Sequence, residues 1–263
     1  MGVVLVGCGV TVPGPVTSPP TNPVAVSPTP TPLPPGWQSA GDGLALQQRQ
    51  EPYADTQVRV TIVRIDPSRV QFTVGYNSLT PPLLSGWCAQ DGVVAVLNGG
   101  FFQSDYQSTA LVMHEGVASG TSYQGAGGMF AVDAAGQVSL RSLAEHPYSP
   151  DEALVEAVQG WPMLVHPGGR LAYTSAEPGE RARRSVVALD RDGYVLLMAF
   201  SGSDLTLHEL ADWLVNSDLA IDAAVNMDGG SSTGLCVRGG AHHAKVDAFT
   251  PLPLVLLVSL RQG

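Results

Sequence analysis

From Val58 to Ile65 the chain alternates with a period of two and is rich in β-branched residues, the pattern of a strand with one face buried. The turn signal Asp66-Pro67-Ser68 separates it from a second strand pattern, Val70 to Tyr76, and predicts that the two pair as a hairpin. Val93–Leu97 is apolar without interruption, as suits a central strand. Further strands are predicted at Ala110–Val112, Met129–Val132, Val138–Leu140, Met163–Val165, Ser185–Leu189, Tyr194–Phe200, Ala223–Met227 and Gly234–Val237. The Val/Leu-rich run Leu252–Leu260 reads as a buried final strand.

One helix is well specified. Thr206-Leu207-His208-Glu209 is a capping box, in which the Thr hydroxyl caps the first turn and the Glu reaches back. Leu207, Leu210, Ala211, Leu214 and Val215 then form one apolar stripe. The box assigns Glu209 to capping rather than catalysis. A shorter helix is predicted around Leu83–Ala89. The order of elements predicts a single α+β domain with a mixed, strand-rich sheet and few helices.

The first 35 residues carry no charged side chain. Residues 1–9 resemble a truncated signal segment, and Leu5-Val6-Gly7-Cys8 has the form of a lipoprotein cleavage box. Residues 10–35 are rich in Pro, Thr, Ser and Val, which predicts an extended, solvated linker. The expectation is a lipid on Cys8, a stalk, and a folded domain over 36–263, held outside the cytoplasm on the envelope or secreted. The membrane enters only through that anchor, because no apolar run is long enough to span a bilayer. Cys88 and Cys236 are expected to remain two small buried thiols, with a disulfide as the alternative in an oxidising compartment.

Composition narrows the functional classes. Of 263 residues, 44% are apolar and 14% charged, enough to build a large core and too apolar for disorder. The net charge of −10 and the lack of any basic run argue against a nucleic-acid partner. An anionic small molecule must then be met locally, by arginine and backbone N–H groups.

Three segments carry candidate chemistry. Asn98-Gly99-Gly100-Phe101-Phe102 ends the Val93–Leu97 strand and predicts a release into left-handed backbone at the glycines. The Asn amide there both donates and accepts, and one of the two Phe rings is expected to line a pocket. Asn226-Met227-Asp228-Gly229-Gly230-Ser231-Ser232-Thr233 places a carboxylate beside backbone amides and three hydroxyls, a nest of the kind that binds anions. Arg181-Ala182-Arg183-Arg184 gathers three of the chain's 13 basic residues within four positions. Arg184, nearest the following strand, is the preferred phosphate ligand, with Arg181 and Arg183 left to a solvated loop.

In their order and spacing, Asn98-Gly-Gly-Phe-Phe, Arg184-Ser-Val-Val-Ala-Leu-Asp190, the Thr206–Leu210 helix start and Asn226-Met-Asp-Gly-Gly-Ser-Ser-Thr233 resemble the phosphodiester glycosidase family over roughly Val58 to Leu260. The resemblance implies a hydrolase that removes a sugar from a glycosyl-phosphodiester. It places Asn98, Arg184 and Asp228 in the catalytic set, with Gly99, Gly100, Phe101, Gly229, Gly230, Ser231 and Ser232 against the substrate. Two departures stand out: Ser185 where members tend to have Thr, and Asp204 where they often have Gly. In the mechanism so implied, Arg184 and the nest hold the phosphate, Asp228 acts as nucleophile or as base for water, and Asn98 orients a sugar hydroxyl or the water. No cofactor is expected, and a divalent ion stays open.

Other readings compete. Gly230-Ser231-Ser232-Thr233-Gly234 matches the G-x-S-x-G of serine hydrolases, which requires a strand–turn–helix that the following strand pattern denies. Asp228 with His242 and His243 forms an awkward metal set, because adjacent His side chains point apart in an extended chain. The non-enzymatic alternative is a cell-surface module that binds sugar-phosphate on the same fold without cleaving it.

Overall fold

The computed structural model describes residues 1–3, 33–175 and 179–261. The chain divides into Met1–Pro32 and a compact unit, Leu33–Gly263. Cys8 and nearly all of the expected linker lie outside the described residues.

The compact unit opens with β1 (Gln38–Gly41), β2 (Leu44–Tyr53), β3 (Thr56–Ile65), β4 (Val70–Tyr76), α1 (Leu84–Cys88) and β5 (Val93–Asn98). Next come β6 (Val112–His114), β7 (Val117–Ser119), β8 (Gly128–Asp133), β9 (Val138–Ser142), β10 (Leu154–Gly160), β11 (Met163–His166) and β12 (Arg170–Leu171). The last third holds β13 (Ala182–Asp190), β14 (Val195–Leu205), α2 (Leu207–Asn216), β15 (Ile221–Asn226), β16 (Leu235–Val237), β17 (Ala244–Val246) and β18 (Leu254–Leu260).

The α+β class with few helices is the observed one. The strands, however, form three sheets whose pairings among the described residues are antiparallel, not one mixed sheet. The largest runs β1-β2-β3-β14-β13-β15-β11-β12, the second β17-β16-β5-β18-β4 and the third β7-β6-β10-β8-β9. A single apolar cluster joins their facing sides, with Val63, Val187, Leu197 and Val225 from the first, Val74, Leu97 and Leu256 from the second, and Phe130 and Val158 from the third.

The predicted β3–β4 hairpin does not form. Both edges of β3 are occupied, by β2 from Thr56 to Ile65 and by β14 from Val60 to Ile65. After the turn, β4 crosses to the second sheet and pairs with β18, Val74 opposite Leu256. Its free edge is joined to the third sheet by Glu156 of β10, whose buried carboxylate accepts the Val74 N–H at 2.7 Å. The expected half-buried character of β3 is also incomplete: Val60 to Val63 is buried on both sides. The second face is covered by α2, whose Leu210, Ala211, Trp213 and Leu214 pack on Ile62, Val186 and Met198. That helix begins with the predicted box, Glu209 N–H donating to Thr206 Oγ1 and Thr206 N–H to Glu209 Oε2.

The two cysteines form a disulfide, which corrects the expectation of free thiols. The shorter helix α1 packs beside β5 and β16, bringing the Cα atoms of Cys88 and Cys236 to 6.3 Å, within bridging range. The bond closes a long loop and pins β16, the strand that follows the Asp228 motif. Replacing both cysteines by Ala is expected to lower the unfolding free energy by about 2–4 kcal/mol. Urea titration under oxidising conditions measures this, and an unchanged midpoint would contradict it.

Candidate active site

Asn98 closes β5 and is only 1% exposed. Its Oδ1 accepts from the Ser185 hydroxyl at 2.6 Å and from the Gly234 N–H at 3.0 Å. Its Nδ2 donates to the backbone oxygen of Asp228 at 2.7 Å. One amide thus ties β5 to β13, to the turn after β15 and to the start of β16. The sequence assigned it to a sugar hydroxyl or a water; the structure spends it on protein groups.

The glycines after Asn98 serve close approach, not left-handed backbone. Neither Gly99 nor Gly100 has a positive φ. A Cβ on Gly99 would lie 2.6 Å from the Leu254 side chain, and one on Gly100 would collide with the Gln159 carbonyl. The Gly99 carbonyl accepts the Asp228 N–H at 3.0 Å, so the two motifs run side by side.

Asp228 sits half-buried at the end of β15. Burial pushes its carboxyl above the usual carboxylate range, against the opposing pull of hydrogen bonds from Ser232 and the Gly229 N–H. The Gly229 N–H lies 2.8 Å from Asp228 Oδ1. The expected nest partly folds on itself, with the Ser232 N–H on the Gly229 carbonyl and the Thr233 N–H on that of Gly230. Gly230 takes the left-handed conformation, φ 60°, that the turn needs. Gly230–Ser232 is one 3-10 turn leading into β16, so the G-x-S-x-G match is not a nucleophile elbow. Ser231 is exposed and Ser232 buried.

The three arginines part company. Arg181 pairs on the surface with Asp55 and Glu209. Arg183 is buried, its Nη2 donating to the carbonyls of Thr233 and Asp247, with the guanidinium stacked 4.2 Å from the Phe249 ring. Arg184 is half-buried; its Cδ lies 3.8 Å from where a Gly229 Cβ would stand, and its Nη2 donates to the Glu180 carbonyl. Desolvation lowers the pKa of both buried arginines. No ion pair among the described residues joins Asp228 to Arg184. Arg183, left to a solvated loop by the sequence, is the clamp under the Asp228 loop. The two-residue spacing that puts it on the same side of β13 as Ser185 was the available signal.

A cavity of about 400 Å³ opens next to these motifs, lined by Phe101, Thr109, Tyr123, Gln124, Ala126 and Trp161. Phe101 is the pocket-lining member of its pair, while Phe102 stacks near Tyr106. Trp161 and Tyr123 were missed because no periodic pattern marks them. A larger cavity, about 950 Å³, lies by Gln71, Glu115, Asp133 and Arg261 and shares no residue with the motifs. Among the described residues no group of three or more His, Cys, Asp or Glu is placed to hold a metal ion.

Residues 91–259, more than half of the chain, match the family model for phosphodiester glycosidases. The chain belongs to the phosphodiester glycosidase family. The match contains all three motif segments and leaves out β1 to β4. The fold resembles the catalytic domain of zebrafish N-acetylglucosamine-1-phosphodiester alpha-N-acetylglucosaminidase auto-inhibited by its pro-peptide, with a TM-score of 0.67 at 16% identity over 86% of this chain and 88% of that one. A hypothetical protein from Synechocystis resembles it with a TM-score of 0.61 at 17% identity, over 84% of this chain and 62% of that one. At such identities the likeness is one of fold. No curated protein matches the sequence significantly.

In this member of the family the raised pKa of Asp228 has a consequence for stability. Folding favours its protonated form, so that contribution is complete below about pH 3.9 and is lost as pH rises through the raised value. Asp228→Asn, which resembles the protonated acid, is therefore expected to melt higher than the wild type at pH 7. The gap should close as pH falls toward about 4. Equal or lower melting at pH 7 would contradict the burial argument.

Proposed function

We propose that this protein hydrolyses glycosyl-phosphodiesters, with Asp228 as the group that acts at the anomeric carbon. The observation that carries the reading is a desolvated carboxylate, held at a strand end by Asn98 and Gly99, within one residue of a glycine that lies against Arg184. A carboxylate with a raised pKa is a stronger base than an exposed one and suits attack on carbon or activation of water. Arg184, partly desolvated and with its Nε unpaired among the described residues, supplies a planar donor to phosphate oxygens and stabilises charge on the departing phosphate. When the bond between the anomeric carbon and the phosphate oxygen breaks, the phosphate monoester leaves as an anion and needs little acid assistance, so a second carboxylate in the usual glycosidase position is not required. Asn98, with its bonds taken by protein groups, acts as a positioning residue. The family membership supports the same reaction class.

We further propose that the protein works outside the cytoplasm. The Cys88–Cys236 disulfide supports an oxidising compartment, as do the lipid-box pattern at Cys8 and the Pro-rich tract behind it.

The test is hydrolysis of a panel of sugar-1-phosphodiesters by the wild type, Asp228→Asn and Arg184→Ala, each checked for folding by circular dichroism. Asp228→Asn is expected to reduce kcat/KM by about 10³-fold or more, some 4 kcal/mol of transition-state stabilisation. Arg184→Ala should cost roughly a hundredfold. Sugar-phosphate binding without turnover by the wild type would replace the enzyme with a binding module.

A further inference from the structure

We propose that the pocket between Phe101, Tyr123 and Trp161 receives the pyranose ring of the substrate, with the apolar face of the sugar against the Trp161 indole. The inference builds on the glycosyl-phosphodiester reading and assigns each half of the substrate a place. The cavity measures about 400 Å³, in the range of small-molecule sites. Its walls are aromatic, and none of the residues lining it carries a charge. A phosphate has no cation to meet there. A pyranose presents a face of C–H groups and a rim of hydroxyls, and this pocket offers rings for the face and Thr109, Gln124 and the Tyr123 hydroxyl for the rim.

The walls are built before any ligand arrives. Gln159, 1% exposed, accepts the Tyr123 N–H on its Oε1 at 2.9 Å and donates from Nε2 to Ser122 Oγ at 2.8 Å. The Tyr123 hydroxyl meets Thr109 Oγ1 at 3.1 Å, and that hydroxyl in turn donates to the Phe101 carbonyl. On the opposite wall the Trp161 carbonyl accepts from Asn226 Nδ2 at 2.7 Å, two residues before Asp228. Both walls are therefore braced to the strands that present the carboxylate: Phe101 through Gly99, and Trp161 through Asn226. Trp161 is 43% exposed although its backbone carbonyl is fixed by Asn226, leaving an apolar side chain open to solvent. Trp161 also meets the Tyr173 ring edge-on at 6.4 Å, and Tyr173 lies in turn within the electrostatic reach of Arg184. Trp161 and Tyr173 thus link the pocket to the neighbourhood of Arg184, the cation that the phosphate of a glycosyl-phosphodiester would need.

Isothermal titration with free N-acetylglucosamine, glucose and mannose, and separately with inorganic phosphate, tests the assignment on the whole protein. Trp161→Ala is expected to weaken the best-bound sugar roughly tenfold or more while phosphate affinity stays unchanged, and Trp161→Phe to restore most of the loss. In Trp161→Ala, KM for a hydrolysed phosphodiester should rise as the sugar affinity falls, while kcat moves less. Because Trp161 is exposed, an unchanged melting temperature of the Ala variant excludes unfolding as the cause. The proposal is overturned if the wild type binds none of the sugars, if Trp161→Ala binds them equally well, or if that variant loses affinity for inorganic phosphate and keeps it for sugar. Trp161-dependent sugar binding with no hydrolysis of any phosphodiester would uphold the pocket and defeat the glycosidase reading. Hydrolysis with sugar affinity and KM indifferent to Trp161 would do the reverse.

Discussion

The carboxamide of Asn98 lies where the ends of β5, β13 and β15 meet the start of β16, and its hydrogen bonds hold those ends in register. It accepts from Ser185 and Gly234 and donates to the backbone oxygen of Asp228. Ser185 and Gly234 are buried, so each would lose a partner with no water to replace it, at about 1–3 kcal/mol per group. The position needs one donor and one acceptor at a fixed distance from the strand. Asp supplies no donor when ionised, and Leu or Ala supplies neither. The two glycines that follow let β18 and the Gln159 carbonyl come within contact, which seats the Asp228 loop against them.

That seating explains why the site combines stability with strain of an electrostatic kind. Asp228 is withdrawn from water and meets no cation in an ion pair among the described residues, so its charged form is disfavoured. Arg183 and Arg184 are desolvated as well, and among the described residues Arg183 keeps two buried nitrogens unpaired and Arg184 one. Two cations and an anion are held close to one another's loops yet apart from direct neutralisation. Such an arrangement is unfavourable for the empty fold and favourable for a ligand that brings negative charge to the arginines and an electrophilic carbon to the carboxylate. The surrounding framework offsets it: the disulfide under β16, the Arg183 clamp on Thr233 and Asp247, and the three-sheet core.

Much of this was legible in the chain. The capping box of α2, the unbroken run of β5 and the last strand needed only local pattern, and each appears within a few residues of its expected place. The catalytic candidates Asn98, Arg184 and Asp228 share ordered motifs, and the structure brings their three segments together. What local pattern lacks is pairing. The turn Asp66-Pro67-Ser68 separates two strands that belong to different sheets, because β2, whose outer half is polar and whose strand nature is poorly marked, takes the edge of β3 that β4 was expected to fill. The same limit hid the disulfide, a contact 148 residues apart in sequence, and the aromatic pocket, whose rings come from three separate loops. In one dimension Asn98 looks like a ligand-facing group and Arg183 like a loop residue; only burial and partners reveal both as clamps.

The organising role of Asn98 is tested most directly by native-state hydrogen exchange at the Gly234 amide, followed in the wild type and in Asn98→Ala under identical conditions. If the carboxamide holds the strand ends together, the Gly234 amide in the wild type exchanges as slowly as the core amides of β18. In the variant it then exchanges by local opening, orders of magnitude faster than β18. Equal protection of Gly234 in both proteins would show that the strand ends are held without Asn98, and the account of how the site is built would fall.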